Sequence, residues 1–371
     1  MHLQRLILTD FKNIRSADIT FSPSVNCFLG NNGAGKTNLL DAIHYLSMTR
    51  SYFSHTDTSS ISFGAPFFSL SGHYHLKNSP NEHIVCVADS AGEKSVKRNG
   101  KNYGKFSEHL GLLPIVMVSP SDTLLIYASA EERRRFMNVL LSQMDISYLS
   151  VLQQYNKILA QRNQYVKQGV FQAELTETLD YQLSTKAALI YEKRAELCMR
   201  LAPKAEEYYA TLSGHAEKLT LLYRSDLEKS PLEIMLKESF QRDQMLGFTS
   251  HGIHRDEVVF LLNGQPVRKF GSQGQQKTFL LALKLAQFEV MRQRSGVAPI
   301  LLLDDVFDKL DMIRVSYLLQ LVAQEHFGQI FITDSNKARI ESVIHEFTHE
   351  YALFNVHNGE IIEKNEYNYE A

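Results

Sequence analysis

The residues that most constrain this 371-residue chain are Gly30-Asn31-Asn32-Gly33-Ala34-Gly35-Lys36-Thr37. They follow the apolar run Val25-Asn-Cys-Phe-Leu29 and precede Leu39, Leu40, Ile43 and Leu46 at helical spacing, so the order is strand, glycine loop, helix. The full G-x-x-x-x-G-K-T pattern of a P-loop is present in that order. Its glycines let successive backbone N–H groups converge on phosphate oxygens at a helix N-terminus, where the helix dipole adds favourable charge. The competing reading is a glycine turn that matches by chance, which the agreement of strand, loop and helix makes the minority one. The candidate nucleotide-binding residues are Gly30, Asn31, Asn32, Gly33, Ala34, Gly35, Lys36, Thr37 and Asn38. In that role Lys36 bridges the β- and γ-phosphates of ATP and the Thr37 hydroxyl ligates Mg2+.

Such a loop needs an acidic partner for the metal, and Ile300-Leu-Leu-Leu-Asp304-Asp305 is a buried strand ending in two adjacent carboxylates. Asp304 is the candidate Mg2+ ligand, and Asp305, one residue on, points elsewhere and is the candidate to orient and polarise an attacking water. Taken alone, the run reads equally as an ordinary strand meeting its turn. From Thr37 to Asp304 is 304 − 37 = 267 residues, so the phosphate site is assembled from both ends of the chain around an insertion.

The remaining texture agrees. At about 150 residues per domain, the length predicts two domains, or one large α/β domain with an insertion. Strand and turn signals dominate up to Val118, including an Asn99-Gly100 hairpin turn. After Pro120, Ser129 and Glu132 form a capping box ahead of Phe136, Leu140 and Met144, and helical periodicity continues to Gly169. Leu175 to Ile190 begins a long helix that Pro203 is expected to end or kink. The expected parts are a β-rich lobe with the P-loop over 1–120, a helical arm over 121–247, and the rest of the head, with a return strand through Phe270, over 248–371. Cys27, Cys86 and Cys198 are odd in number and far apart, which excludes a disulfide framework and any CxxC metal site and fits a reducing compartment. Neither a secretion signal nor a run of about 18 apolar residues is present, so a cytoplasmic protein with no membrane partner is expected.

Upstream of the acidic strand lies Phe270-Gly-Ser272-Gln273-Gly274-Gln275-Gln-Lys277 at a helix start, which resembles the signature motif of the ABC-type ATPases. In that superfamily the signature serine and glycine touch the γ-phosphate held by the opposite subunit. Asp311 stands where the D-loop would be, and Thr333-Asp334 where the switch residue would be. Transporters place Glu at the position of Asp305 and His near Thr333, so a slow hydrolytic timer is expected. Asp10-Phe-Lys-Asn13, Gly30 to Asn38, Thr49-Arg50-Ser51, Lys97-Arg98-Asn99-Gly100, Glu132 to Phe136, His254-Arg255-Asp256 and Ser272 to Gln276 together resemble the RecF family of recombinational repair proteins, relatives of SMC-like heads. The resemblance runs nearly end to end; the departure is Tyr127-Ala-Ser-Ala130, where the family usually has a glycine. It implies an ABC-type head with a short helical arm, ATP-dependent homodimerisation, DNA binding, weak ATP hydrolysis and support of the SOS response. It also implies loading of recombinase at DNA gaps with RecR- and RecO-like partners.

Lys and Arg number 39 against 41 Asp and Glu, a net charge of −2, so any DNA surface must be a local patch. The candidates are Lys97, Arg98, Lys101 and Lys105 on the hairpin and Arg133, Arg134 and Arg135 at the start of the arm. Phosphate contacts from them would be independent of sequence and strongly salt-dependent. The competing reading is a solvated charge run, or arginines paired with Glu131 and its neighbours. Arg50 reads either as a phosphate contact or as a partner of Asp57, and His254-Arg255-Asp256 as a structural link or a nucleotide sensor. Two rival functions share these motifs: a transporter ATPase subunit, and a nucleotide-gated binding module with negligible turnover.

Overall fold

The computed structural model describes residues 1–76, 80–168, 172–215, 217–307, 312–322, 327–336 and 350–368. In chain order its strands and helices are β1 (His2–Phe11), β2 (Ile14–Thr20), β3 (Val25–Leu29), α1 (Lys36–Met48), β4 (Phe67–His75), β5 (Glu82–Asp89), β6 (Lys94–Arg98), β7 (Lys101–Asn102) and β8 (Ile115–Val118). Then come α2 (Leu124–Tyr127), α3 (Ala130–Met144), α4 (Ile146–Gln168), α5 (Ala173–Ser213), β9 (Leu219–Arg224), α6 (Leu232–Leu246), β10 (Glu257–Leu262), β11 (Gln265–Pro266), α7 (Val267–Phe270) and α8 (Gln273–Ser295). Last are β12 (Ile300–Asp304), α9 (Met312–Val322), β13 (Ile330–Asp334), β14 (Glu350–His357) and β15 (Glu360–Asn368). Contacts divide the chain into one unit of Met1–Asp122 with Gln287–Ala371 and a second of Thr123–Ala286. Among the described residues no helix is long and apolar enough to cross a membrane.

In the first unit, strands from both ends of the sequence share a six-stranded sheet of order β15-β14-β3-β13-β12-β8. Strands β3, β8, β12 and β13 are buried at every position, which is why their sequences are nearly continuous apolar runs rather than alternations. Phe21 meets Phe28, Phe331 and Phe354 edge to face, and Phe28 stacks on Phe331, against this sheet. Each such ring contributes about 1.5–3 kcal/mol by leaving water. The parallel register pairs Asp304 with Thr333, and Thr333 with Phe28, so the last residues of β12, β13 and β3 end side by side. A second, antiparallel sheet of order β2-β1-β4-β5-β6-β7 carries the expected hairpin, with Asn99 at φ 50° and Gly100 at φ 80°.

The second unit differs from its expected boundary at residue 247. Residues 248–286 cluster with the helices because β10 pairs antiparallel with β9, from Glu257 opposite Arg224 to Leu262 opposite Leu219. The expected return strand through Phe270 stops at Pro266, and Val267–Phe270 is one helical turn. Ser129 caps α3 by accepting from the Glu131 amide rather than from the Glu132 amide, and Glu132 lies 3.9 Å from Arg135, so a simple N-cap stands where the reciprocal capping box was expected. Pro203 does not end α5, which runs to Ser213. An interior proline costs about 3 kcal/mol, but Leu197, Leu201, Ala205, Tyr208 and Tyr209 are buried on either side of it and hold both halves of the helix.

Two buried arginines tie this unit together. Arg162 on α4 donates to Asp180 at 2.6 Å, to Asp243 at 2.7 Å and to Thr249 at 2.9 Å. Arg194 on α5 donates to Asp256 and the Ile253 carbonyl, both at 2.7 Å, and to Asn138 at 3.0 Å. Fully desolvated cations persist only with such complete sets of acceptors.

Candidate functional site

The loop after β3 is built around backbone that only glycine tolerates. Gly30 (φ 154°), Gly33 (φ 83°) and Gly35 (φ 113°) all lie at positive φ, and a Cβ on Gly30 would sit 2.2 Å from the Val356 carbonyl oxygen. Helix α1 then starts with no side-chain cap and no acidic residue in its first turn. Its leading N–H groups, which have no partner within the helix, are thus open to an anion. Lys36 is 4% exposed, and its Nζ donates to the Gly30 carbonyl at 2.7 Å and the Asn31 carbonyl at 3.0 Å. Among the described residues no carboxylate forms an ion pair with it.

The neighbouring strand ends complete the site. Thr37 Oγ1 and Thr333 Oγ1 each donate to Asp304 Oδ1 at 2.8 Å, and the Asp305 amide donates to Thr333 Oγ1 at 2.9 Å. Two residues 267 apart in sequence, Thr37 and Asp304, are therefore in direct contact. Burial pushes the Asp304 carboxyl pKa up, against the pull of the two threonine hydroxyls. Asp305 sits at φ 46°, a left-handed conformation that turns the chain sharply after Asp304. A hydroxyl and a carboxylate side by side, next to an uncapped helix start and a buried amine, are the donor set that a Mg2+ ion bound to a polyphosphate requires. The residues present fit both groups. Asp311 lies outside the described residues.

Three braces were not assigned from the sequence. Asn13 accepts from Asn38 Nδ2 at 2.7 Å and reaches the Gly33 carbonyl at 3.4 Å. The Gly359 amide, in the β14–β15 turn, donates to the Ala34 carbonyl at 2.7 Å, and a Cβ on Gly359 would fall 2.3 Å from the Asn13 carbonyl oxygen. Asp41 on α1 pairs with Lys12 Nζ at 2.6 Å and accepts from Ser51 Oγ at 2.6 Å and from the Tyr52 amide at 2.7 Å, which gives Lys12 of Asp10-Phe-Lys-Asn13 and Ser51 of Thr49-Arg50-Ser51 a shared partner. Asn358-Gly359 is a hairpin-turn pair of the same kind as Asn99-Gly100 and was the readable signal for the second brace. Asp57 accepts from Tyr45 Oη at 2.6 Å and pairs with Lys94 at 3.0 Å.

The second unit carries the Ser272-Gln273-Gly274-Gln275 segment at the start of α8, where Ser272 is exposed. The Ser272 amide donates to Gln275 Oε1 at 2.6 Å and the Gln275 amide to Ser272 Oγ at 3.3 Å, a reciprocal cap. Gln273 is exposed and Gly274 half-buried. His254 is neutral: Tyr155 Oη donates to its Nδ1 at 2.8 Å, its Nε2 donates to the Thr249 carbonyl at 3.0 Å, and burial pushes its pKa down to about 4. His254 and Asp256 thus join elements within this unit.

The basic candidates separate into two groups. Lys97, Lys101, Lys105 and Arg135 are exposed. Arg98 forms a bidentate pair with Glu82. Arg133 grips Glu257 at 2.7 and 3.2 Å and the Leu125 carbonyl at 2.8 Å, and Arg134 donates to the Asp256 carbonyl at 2.8 Å. Burial, then repulsion from Arg194, pushes the Arg134 pKa down. These two arginines, expected at a DNA surface, are committed to holding α3 against the β10 region, because the triple run places two of them on the inner side of the helix.

A family model described as the RecF/RecN/SMC N terminal domain matches residues 2–361. A DNA replication and repair protein RecF of Parabacteroides distasonis is 47% identical, covering 97% of this chain and 99% of that protein. This chain belongs to the RecF family. A RecF of Porphyromonas gingivalis is 44% identical over 98% of this chain and the whole of that protein. Among solved structures, the recombination mediator protein RecF with ATP superposes with a TM-score of 0.88 at 29% identity, covering 98% of this chain and 97% of that one. An Smc head bound to the C-winged helix domain of ScpA matches with a TM-score of 0.61 at 15% identity, over 99% of this chain and 98% of that one, and shows the shared fold. The expected fold class, a mixed α/β ABC-type ATPase head with a helical insertion, is therefore that of the RecF family.

Proposed function

We propose that this RecF-family chain is a DNA replication and repair protein that works as an ATP-gated switch. The observation that carries the reading is the contact of Thr37 with Asp304 beside the uncapped start of α1. Bound ATP lies along the loop from Gly30 to Asn38, and Lys36 exchanges the carbonyls of Gly30 and Asn31 for phosphate oxygens. Thr37 and Asp304 hold Mg2+, which neutralises phosphate charge when bound. Asp305 would orient water for hydrolysis, and Thr333, which accepts from the Asp305 amide and donates to Asp304 Oδ1, would hold the Asp304 carboxylate in place for the metal.

The γ-phosphate favours a homodimer in which Ser272 and Gly274 of one copy face the nucleotide of the other. ATP shifts the equilibrium by its differential affinity for that state. DNA is held by phosphate contacts from Lys97, Lys101, Lys105 and Arg135, in the cytoplasm, with RecR- and RecO-like partners assisting the loading of recombinase at gaps. Hydrolysis is slow and stimulated by DNA; the shorter carboxylate at Asp305 and a threonine in place of a switch histidine favour a timer over a motor.

Ser272→Arg is expected to leave ATP binding intact and to abolish ATP-dependent dimerisation, measured by light scattering with Lys36→Ala as the non-binding control. Normal dimers of Ser272→Arg would sink the sandwich arrangement.

A further inference from the structure

The reciprocal cap between Ser272 and Gln275 is not self-contained. The Gln275 side chain has one amide group with two ends. Its Oε1 accepts from the Ser272 amide, and its Nε2 donates to Glu217 Oε1. Glu217 lies in the short connection between the 41-residue helix α5 and β9, and its other oxygen accepts from Tyr209 Oη on the last turns of α5. The neighbouring backbone is pinned as well: the Lys218 amide donates to Asn263 Oδ1 at 2.8 Å, and the Asn263 amide to the Lys218 carbonyl at 2.9 Å.

The polarity of this chain of bonds matters. A carboxylate only accepts, so Glu217 forces Gln275 to present Nε2 toward it and Oε1 toward Ser272. With Oε1 on the Ser272 amide and the Gln275 amide on Ser272 Oγ, the serine backbone and side-chain oxygen are both fixed, and its hydroxyl proton is left to donate outward. Without Glu217 the Nε2 end of Gln275 loses this acceptor, and the Ser272 amide alone is left to hold the side-chain amide in the orientation the cap requires.

We propose that Glu217 is a positioning residue for the signature serine: through Gln275 it sets the direction in which Ser272 and the first turn of α8 face a nucleotide held by a second copy. The inference rests on the ATP-dependent dimer described above. It also links the signature segment, through Glu217, to Tyr209 near the end of α5.

The test is a double-mutant cycle on the full chain, read as the concentration for half-maximal dimerisation with MgATP, alongside monomer ATP affinity and thermal midpoint. Glu217→Ala is expected to weaken dimerisation about tenfold, the worth of one oriented hydrogen bond, with ATP affinity unchanged. Gln275→Ala is expected to do at least as much, and Glu217→Ala with Gln275→Ala no more than Gln275→Ala alone, because Glu217 acts through Gln275. Glu217→Gln keeps an acceptor for Gln275 and an amide for Tyr209 Oη, and is expected to dimerise as the wild type does. Additive losses, undiminished dimerisation of Glu217→Ala, or equal losses in Glu217→Ala and Glu217→Gln would each overturn the proposal. A wild type that fails to dimerise with ATP would instead overturn the sandwich on which it rests.

Discussion

Lys36 and Arg162 are both almost completely buried cations, 4% and 1% exposed, yet they are held in opposite ways. Arg162, in the second unit, has two carboxylates and a threonine hydroxyl around it. Lys36, in the first unit, has two carbonyl oxygens of its own loop. A buried charge with full compensation is part of the scaffold, whereas one with only neutral acceptors is poised for an anion that comes from outside. The same contrast runs through both units: the first leaves a helix start uncapped and an amine with no ion pair among the described residues, while the second consumes Arg133, Arg134, Arg194, His254 and Asp256 in internal bonds.

Replacing each cation by an uncharged chain tests the comparison most severely. Arg162→Met strands Asp180 and Asp243 without their cation and is expected to cost about 3–5 kcal/mol in denaturant unfolding. Lys36→Met removes hydrogen bonds to two carbonyls but strands no carboxylate, so it is expected to cost no more than about 1–2 kcal/mol in unfolding while abolishing ATP binding. If both destabilise alike, the distinction between scaffold and poised cation is lost.

A second consequence concerns acid. His254 is held neutral with a pKa pushed down to about 4, below the ordinary value of 6.5, so the folded state binds a proton less readily than the unfolded one. The stability this confers is complete above pH 6.5 and is lost as pH falls toward 4, up to about 3 kcal/mol. His254→Gln can accept from Tyr155 and donate to Thr249, and should flatten that slope in unfolding measured at pH 7 and pH 4. An unchanged slope would show that His254 is not a source of the second unit's acid sensitivity.

The smallest effects belong to the surface. Each of Lys97→Gln, Lys101→Gln and Lys105→Gln is expected to lower the slope of log affinity for DNA against log salt by about 1. Arg133→Gln should lower stability and leave that slope alone; a change in slope would return Arg133 to the DNA surface.

What could be read from the letters was what is local along the chain. Strand, glycine loop and helix are contiguous, so the left-handed glycines and the helix start after Gly35 are written in eight residues. The Asn99-Gly100 turn is legible for the same reason, since positive φ at two successive positions is a demand on those residues alone. The roles of Arg133 and Arg134 were not legible, because a run of like charges looks the same whether its acceptors are water, DNA phosphates or Glu257 and Asp256 more than 120 residues away. Of the two outcomes expected at Pro203, an end to the helix does not occur: the preference to break is outweighed by apolar burial on both sides, which sequence spacing does not weigh.

The sequence by itself determined the chemistry on offer: a phosphate-binding loop, an acidic strand to partner it, a signature-like helix start and the RecF-family resemblance that links them. Only the tertiary structure decided which groups are available to use it. Parallel pairing of β3, β13 and β12 set Thr37, Thr333 and Asp304 within hydrogen-bonding distance, and packing in the second unit withdrew two of the three clustered arginines from solvent. The reason is that residue type fixes what a side chain can donate or accept, whereas burial and the partners met at long sequence separation fix whether that capacity is already spent.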